Sequence, residues 1–263
     1  MSNCWCAGPW ALSTRLGNCR HGTTTAFNRR GARSPLAQEF GTSEDTIRRD
    51  LRELAQAGHL QRVHGGALPA SAAVGDLRVR EGVSPREQAA LGRAGAAMIQ
   101  AGQVVLLDGG TTALQVARHL HPALRATVVT HSPTVAVELA AHAHIDIIVL
   151  GGRLFRHSMV SVGAAVIDAA ARLRADLYFM GVTGVHPDAG LSTSDAEEAA
   201  VKRALHERAA ETIVLASSEK LMAASAFVIA PLADISLLVV PRATAERKAR
   251  ALRAGGVKVQ RVG

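Results

Sequence analysis

Aromatic residues make up only 3% of the 263-residue chain. An interior built without them is aliphatic, and single-strand nucleic-acid readers, which stack bases on aromatic side chains, are disfavoured. Long apolar runs are missing as well. Uncharged stretches such as residues 94–107 fall short of the ~18 or more apolar residues that a membrane span requires. The first positive charge is Arg15, and no apolar run preceded by early charge marks a secretory signal. The expectation is a soluble, cytoplasmic protein with no membrane partner. Cysteine is scarce: Cys4, Cys6 and Cys19 lie in the first nineteen residues, with both tryptophans, so no disulfide framework supports the body. Cys4, Cys6, Cys19 and His21 are spaced more tightly than usual zinc ligands. No metal or cofactor is expected.

What is present is a large aliphatic content. Hydrophobic residues make up 48% and the mean hydropathy is +0.13, enough to bury a substantial core, and the length suits two domains. The net charge of +8 is unevenly spread. Residues 1–68 hold nine arginines against five acids, residues 242–263 hold seven basic residues against one acid, and the centre is near neutral. Basic ends suit nucleic acid or another anionic surface, or a chain that simply favours arginine.

Residues 1–33 show neither a helical nor a strand period and read as an irregular leader. At Ser34-Pro35 the pattern changes to a capping serine followed by proline at the first helical position. A short helix over 36–40 stops at Gly41, and Ser43 caps a second running to Gly58, with Glu44 and Asp45 at the positive end of its dipole. Residues 59–64 form a short strand ending in a Gly65-Gly66 turn, and 69–76 read as a linker. Beyond it, a helix over 85–100 precedes apolar strands at 104–108, 127–130, 146–150, 177–181, 212–216 and 235–240, mostly separated by helical stretches. That alternation predicts a parallel sheet covered on both faces, spanning 77–263. The basic tail reads as a last helix, 244–252, and an edge strand, 257–261, whose charges discourage aggregation; a second DNA contact is the lesser reading.

Residues 34–68 have the spacing of a helix–turn–helix. Ala37 permits close approach of the second helix, Gly41 takes the turn's positive φ, and Ile47 sits in the second helix. At 100° per residue, Ile47, Leu51 and Leu54 fall within roughly 60° of one another, with Arg48, Arg49 and Arg52 on the other side. A docked stripe backed by arginines is what a major-groove helix needs, although a solvated basic surface helix shows the same spacing.

The stretch LAQEFGTSEDTIRRDLRELAQAGHLQRVHGGAL closely resembles the DeoR-type family of bacterial repressors. The resemblance places Thr46, Arg48 and Arg49 on a recognition helix, with Arg52 on the same face. It assigns Arg62 and His64 to a wing and makes Ser43 a cap that also reaches phosphate. Asp50 pairs with a neighbouring arginine on this reading. The family places another amphipathic helix before the motif. Here residues 16–30 contain Gly17, Gly22 and three consecutive threonines, poor helix material, so a first helix is not expected.

The second feature is Asp108-Gly109-Gly110-Thr111-Thr112 at the end of an apolar strand. Glycines that let amides face an anion, a helix start and two hydroxyls make a phosphate pocket, though a plain structural turn fits GGTT equally well. Thr130-His131-Ser132, Gly151-Gly152 and Gly181-Val182-Thr183-Gly184 end later strands, and Glu198, Lys202 and Lys220 follow. Together these resemble the sensor domain of the same family, related to ribose-phosphate isomerases. The resemblance implies a Rossmann-like α/β sensor after a winged helix–turn–helix. It implies a phosphorylated-sugar effector at Gly109, Gly110, Thr111 and Thr112, with Asp108, His131, Ser132, Glu198, Lys202 and Lys220 as polar contacts. Read from the residues alone, Glu198 and Lys202 suit an exposed i,i+4 pair equally well, Lys220 suits solvent, and His131 suits a cap or the core.

The function expected is a carbohydrate-operon repressor that binds double-stranded operator DNA as a homo-oligomer and releases it when the effector binds. A sugar-phosphate isomerase, or a sensor without DNA binding, are the alternatives.

Overall fold

The computed structural model describes residues 25–26, 37, 41–63, 66–71 and 77–263. The chain divides into two compact units, Met1–Ala70 and Ser71–Gly263.

In the first unit, α1 (Glu44–Gln56) is capped by Ser43, whose Oγ accepts the Thr46 amide at 3.1 Å. Gly41 has φ +61°, as the turn before the helix demands. Ile47 and Leu51 are buried against Ala37, Ala67 and the half-buried Leu60. The wing is a sheet of β1 (Thr25–Ala26), β3 (Gly66–Pro69) and β2 (Leu60–Val63), in that order and antiparallel. Two expectations change here. The leader is not irregular throughout, because Thr25 and Ala26 pair with Ala67 and Gly66; two residues are too few to show a period. The linker begins too early, because residues 66–69 are strand. The helix over 36–40 (Ala37 excepted, which is helical), the expected lack of a first helix over 16–30 (Thr25 and Ala26 excepted, which are strand), residues 72–76 of the linker, His64, Gly65 and most of the leader lie outside the described residues.

The second unit begins with two helices, α2 (Leu77–Glu81) and α3 (Pro85–Ala96). Then β4 (Val104–Leu107), α4 (Thr111–Arg118), β5 (Ala126–Thr130), α5 (Pro133–Leu139) and β6 (Ile145–Val149) alternate. A hairpin of β7 (Arg153–Phe155) and β8 (Val160–Val162) leads to α6 (Ala164–Ala170) and β9 (Ala175–Met180). A small antiparallel sheet contains β10 (Gly184–His186), β11 (Gly190–Thr193) and β13 (Phe227–Ala230). Helix α7 (Ala196–His206), β12 (Ala209–Leu215), β14 (Leu237–Pro241), α8 (Glu246–Ala254) and β15 (Val259–Val262) complete the unit.

The main sheet has seven parallel strands in the order β15-β14-β12-β9-β4-β5-β6. Its strands are apolar on both faces because both are covered. Leu106, Tyr178, Met180 and Val214 face one core with α6 and α7, while Val105, Leu107, Leu177, Phe179, Ile213 and Leu215 face the other with α3, α4 and α5. The strand order reverses between β4 and β9, which opens a crevice at their carboxyl ends. The two margins differ. At β15 the chain carries Lys258 and Arg261, whereas β6 shows Ile148 and Val149 at 40% and 50% exposure.

Helix α3 holds α4 in place through Gly92. A Cβ there would lie 2.4 Å from Gln115 Cβ and 2.6 Å from the Gln115 carbonyl carbon. Gly92→Ala is therefore expected to lose about 1–3 kcal/mol despite alanine's better helix propensity, since the helices must separate. Urea denaturation measures this, and a stabilised variant would show the packing to be slack.

Candidate functional site

Asp108, the residue after β4, has a fully buried carboxylate with five donors. Its Oδ1 accepts from the Gly109 amide at 2.7 Å and from His131 Nε2 at 2.7 Å. Its Oδ2 accepts from Tyr178 Oη at 2.9 Å, the Gly181 amide at 2.8 Å and Lys202 Nζ at 2.6 Å. Burial alone would raise the Asp108 pKa; Lys202 and His131 more than reverse this and hold it far below the usual carboxylate range. Burial pulls Lys202 down, but Asp108 and Glu198 push it above its ordinary value. Burial beside Asp108 raises Tyr178. A side chain on Gly181 would crowd this site, because its Cβ would come 3.0 Å from the Gly109 carbonyl oxygen and 3.3 Å from Asp108 Oδ2.

In front of this carboxylate lies a cavity of ≈ 520 Å³, counting its open mouth. Gly109, Gly110, Thr111, Thr112, Glu198, Lys202 and Lys220 all line it. The first amides of α4 lack intrahelical partners, as at any helix start, and the dipole there favours an anion. The Thr112 hydroxyl is buried with no hydrogen-bond partner among the described residues. Lys220 is only 7% exposed, and no hydrogen bond or ion pair engages its Nζ among the described residues. Burial, reinforced by Arg80 and Lys202, lowers its pKa to about 8.

Three expected contacts stand behind the wall. Asp108 organises the cavity without lining it. His131 is buried and bridges Asp108 to the Ser161 carbonyl at 2.8 Å. Ser132 is wholly buried, donating to the Met159 carbonyl at 3.1 Å. The end of β5 turns these side chains under the β8 segment. Glu198 and Lys202 are not a surface pair: they are 5% and 2% exposed and 3.3 Å apart. Lys220 is not solvent-facing.

The cavity also takes residues that sequence reasoning did not select: Arg80 from α2, Ser158 from the β7–β8 turn, Thr193 from β11, and Thr183. Only Thr183 sat in a motif that had been singled out. A five-residue helix and strands of three or four residues carry no readable period.

On α1, Arg48 and Arg49 have side chains 63% and 65% exposed. Arg48 lies 3.6 Å from Glu44 and 3.5 Å from Asp45, exposed pairs that cost little to exchange for phosphate. Asp50 is buried and pairs with Arg49 at 3.8 Å. Arg52 and Arg62 are exposed, Thr46 is half-buried, and Ser43 uses its oxygen in the cap. Cys4, Cys6, Cys19 and His21 lie outside the described residues, and among the described residues no cluster suits a metal ion.

The model of the DeoR C terminal sensor domain matches residues 84–242, and that of the DeoR-like helix-turn-helix domain matches 34–72. The chain belongs to the DeoR family of transcriptional regulators. It is 33% identical over 207 residues to the HTH-type transcriptional regulator GlpR of Haloferax volcanii, covering 78% of this chain and 80% of that one. It is 32% identical to the HTH-type transcriptional repressor GlcR of Bacillus subtilis (76% and 78% covered) and 33% identical to the glycerol-3-phosphate regulon repressor of Escherichia coli (70% and 74%). This DeoR-family member is a regulator and not an enzyme.

Replacing Asp108 by Asn removes the charge but keeps the shape, leaving Lys202 short of a counter-ion. We expect a loss of about 3–5 kcal/mol in urea denaturation, as for a broken buried pair. Because the folded carboxyl titrates below its unfolded value, this contribution is full above the ordinary carboxylate range and fades as pH falls through it and below. The stability of wild type and variant should therefore converge in acid; a constant gap down to about pH 2 would count against the assignment.

Proposed function

We propose that this DeoR-family regulator represses an operon of carbohydrate metabolism, binding operator DNA through α1 and the wing, and that a phosphorylated sugar releases it. One observation carries the effector reading: Lys220, a buried cation without a partner among the described residues, lines the same cavity as the unsatisfied Thr112 hydroxyl and the first turn of α4. A phosphate satisfies all three at once. The Escherichia coli relative is named for the glycerol-3-phosphate regulon. Glu198, Lys202, Ser158 and Thr193 offer hydrogen bonds to the sugar hydroxyls, and Asp108, His131 and Ser132 act by positioning.

Arg48, Arg49, Arg52, Arg62 and His64 supply the DNA-facing charge, with Thr46 at base edges or phosphate. The protein acts as a homo-oligomer, since two recognition helices must meet half-sites about 34 Å apart. The effector favours an arrangement in which they do not.

In a thermal-shift screen of sugar phosphates, a ligand at about a hundred times its Kd adds about 2.7 kcal/mol and raises the melting temperature. Lys220→Met should abolish that shift. Affinity should also fall as pH rises through about 8, because only protonated Lys220 attracts the anion. An affinity that stays flat across that range would remove Lys220 from the site.

For DNA, fluorescence anisotropy on the gene's own upstream sequence should show affinity falling steeply with salt. Arg48→Ala and Arg49→Ala should each weaken binding, and removing an arginine that holds one phosphate should reduce the salt slope by about 1. An unchanged affinity in both variants would exclude α1 as the recognition helix.

A further inference from the structure

Helix α2 is five residues long, too short to hold its shape unaided, so what it rests on decides where it lies. Of those five residues only Leu77 and Arg80 are buried. The Leu77 amide donates to the His157 carbonyl at 3.0 Å, and Arg80 Nη2 reaches the same oxygen at 3.5 Å. At the other end, the Gln88 side-chain amide donates to the Arg80 and Val83 carbonyls at 3.0 and 2.5 Å. His157 lies in the β7–β8 turn that also supplies Ser158 to the cavity, and Gln88 lies on α3. A second hollow of ≈ 470 Å³, counting its open mouth, has Glu81, Gln88, Thr111 and Arg118 in its lining. Arg80 lines the first cavity and its neighbour Glu81 the second, so α2 has open space on both sides and little packing opposes its displacement.

The charge of the cavity makes Arg80 sensitive to an anion. Among the described residues, Arg80, Lys202 and Lys220 line it against one carboxylate, Glu198. Lys202 is held by Asp108 and Glu198. Arg80 stands at the opening of α4, where a Cβ on Gly110 would come 3.8 Å from its Nη1. It is close enough to Lys220 for its charge to help lower that lysine's pKa. Two cations that oppose one another both gain when a doubly charged phosphate joins them, and a guanidinium offers phosphate paired donors.

Arg80 also lies ten residues beyond Ala70, where the DNA-reading unit ends. With α2 in place, the stretch from Ala70 to Leu77 spans at most about 25 Å; with α2 detached as far as Pro85, the limit is about 50 Å. The state of α2 therefore sets the length of the tether.

We propose that Arg80 is a ligand of the effector phosphate, and that α2 is the element through which occupancy of the cavity reaches the DNA-reading unit. Bound effector draws Arg80 in, fixes α2 and shortens the tether; without it α2 loosens and the tether lengthens. The inference rests on the cavity being the effector site. It supplies the two-state element, biased by the ligand, that any coupling between the two functions requires.

The test is hydrogen exchange of the full chain, read by mass spectrometry over residues 77–82. The probes are glycerol 3-phosphate, fructose 1-phosphate, glucose 6-phosphate and inorganic phosphate. With a compound that raises the melting temperature, exchange over 77–82 should slow at least about fivefold, while residues 91–96 of α3 change less than about twofold. Arg80→Gln should still take that compound through Lys220 and the start of α4, at roughly tenfold lower affinity, and at saturation should show no slowing. On the gene's own upstream DNA, the saturating compound should weaken wild-type binding at least about tenfold and Arg80→Gln binding about twofold or less. Unchanged exchange over 77–82 in saturated wild type overturns the inference and leaves the effector reading standing. So does a saturated Arg80→Gln that releases DNA as wild type does. If the variant fails to fold or to bind, the wild-type exchange decides alone. Binding by none of the compounds overturns both.

Discussion

The sensor unit is organised around the buried carboxylate of Asp108. An isolated charge in an aliphatic interior is prohibitively costly, so it persists only with donors on every side. Those donors come from four parts of the chain: Gly109 beside it, His131 after β5, Tyr178 and Gly181 at β9, and Lys202 on α7. Satisfying one carboxylate thus fixes the ends of three neighbouring strands relative to a helix, and the crevice where the strand order reverses acquires a definite shape. It also separates two lysines that look alike in the sequence. Lys202 is held by two carboxylates, while Lys220 is buried without an equivalent partner among the described residues. The first lends rigidity; the second is the cation that the proposed effector phosphate would engage.

Among the described residues of the first unit, the core gathers Ala37, Ala67 and Leu60 around Ile47 and Leu51, and the helix is capped by Ser43. That core orients one helix against a wing and leaves the opposite face to Arg48, whose ion pairs are exposed, and to Arg49, which reaches the buried Asp50. On the proposed reading of α1, the exposed pairs of Arg48 are weak ones that phosphate can replace.

Most of the sheet could be read in the sequence because both its faces are buried: VVLL and IVL contribute alternate residues to two cores, which makes the runs continuous. Strand ends moved by one to three residues, as at Ala175–Met180, where the polar Asp176 obscured the start. The antiparallel pieces were not legible. Strands β7, β8, β10, β11 and β13 have three or four residues each, and β8, β10 and β11 are buried throughout, so no alternation marks them. Those short pieces deliver Ser158 and Thr193 to the cavity, and Arg80 arrives on a single helical turn. The resemblance identified the cavity-lining Gly109–Thr112, Glu198, Lys202 and Lys220. It could not tell them from Asp108, His131 and Ser132, which hold the wall from behind. Whether a polar side chain points into a cavity or away from it depends on tertiary direction, which sequence spacing does not encode.

The unequal margins of the main sheet bear on handling the protein in concentrated solution. At one margin β15 carries Arg261, just after Lys258, and at the other β6 carries Ile148 and Val149, both about half exposed. Among the described residues β6 pairs only with β5, so its outer row of amides and carbonyls is open to another backbone. Uncontrolled sheet extension therefore has a preferred starting side, and Ile148→Lys is the simplest way to improve solubility without touching either the cavity in front of Asp108 or the arginine face of α1.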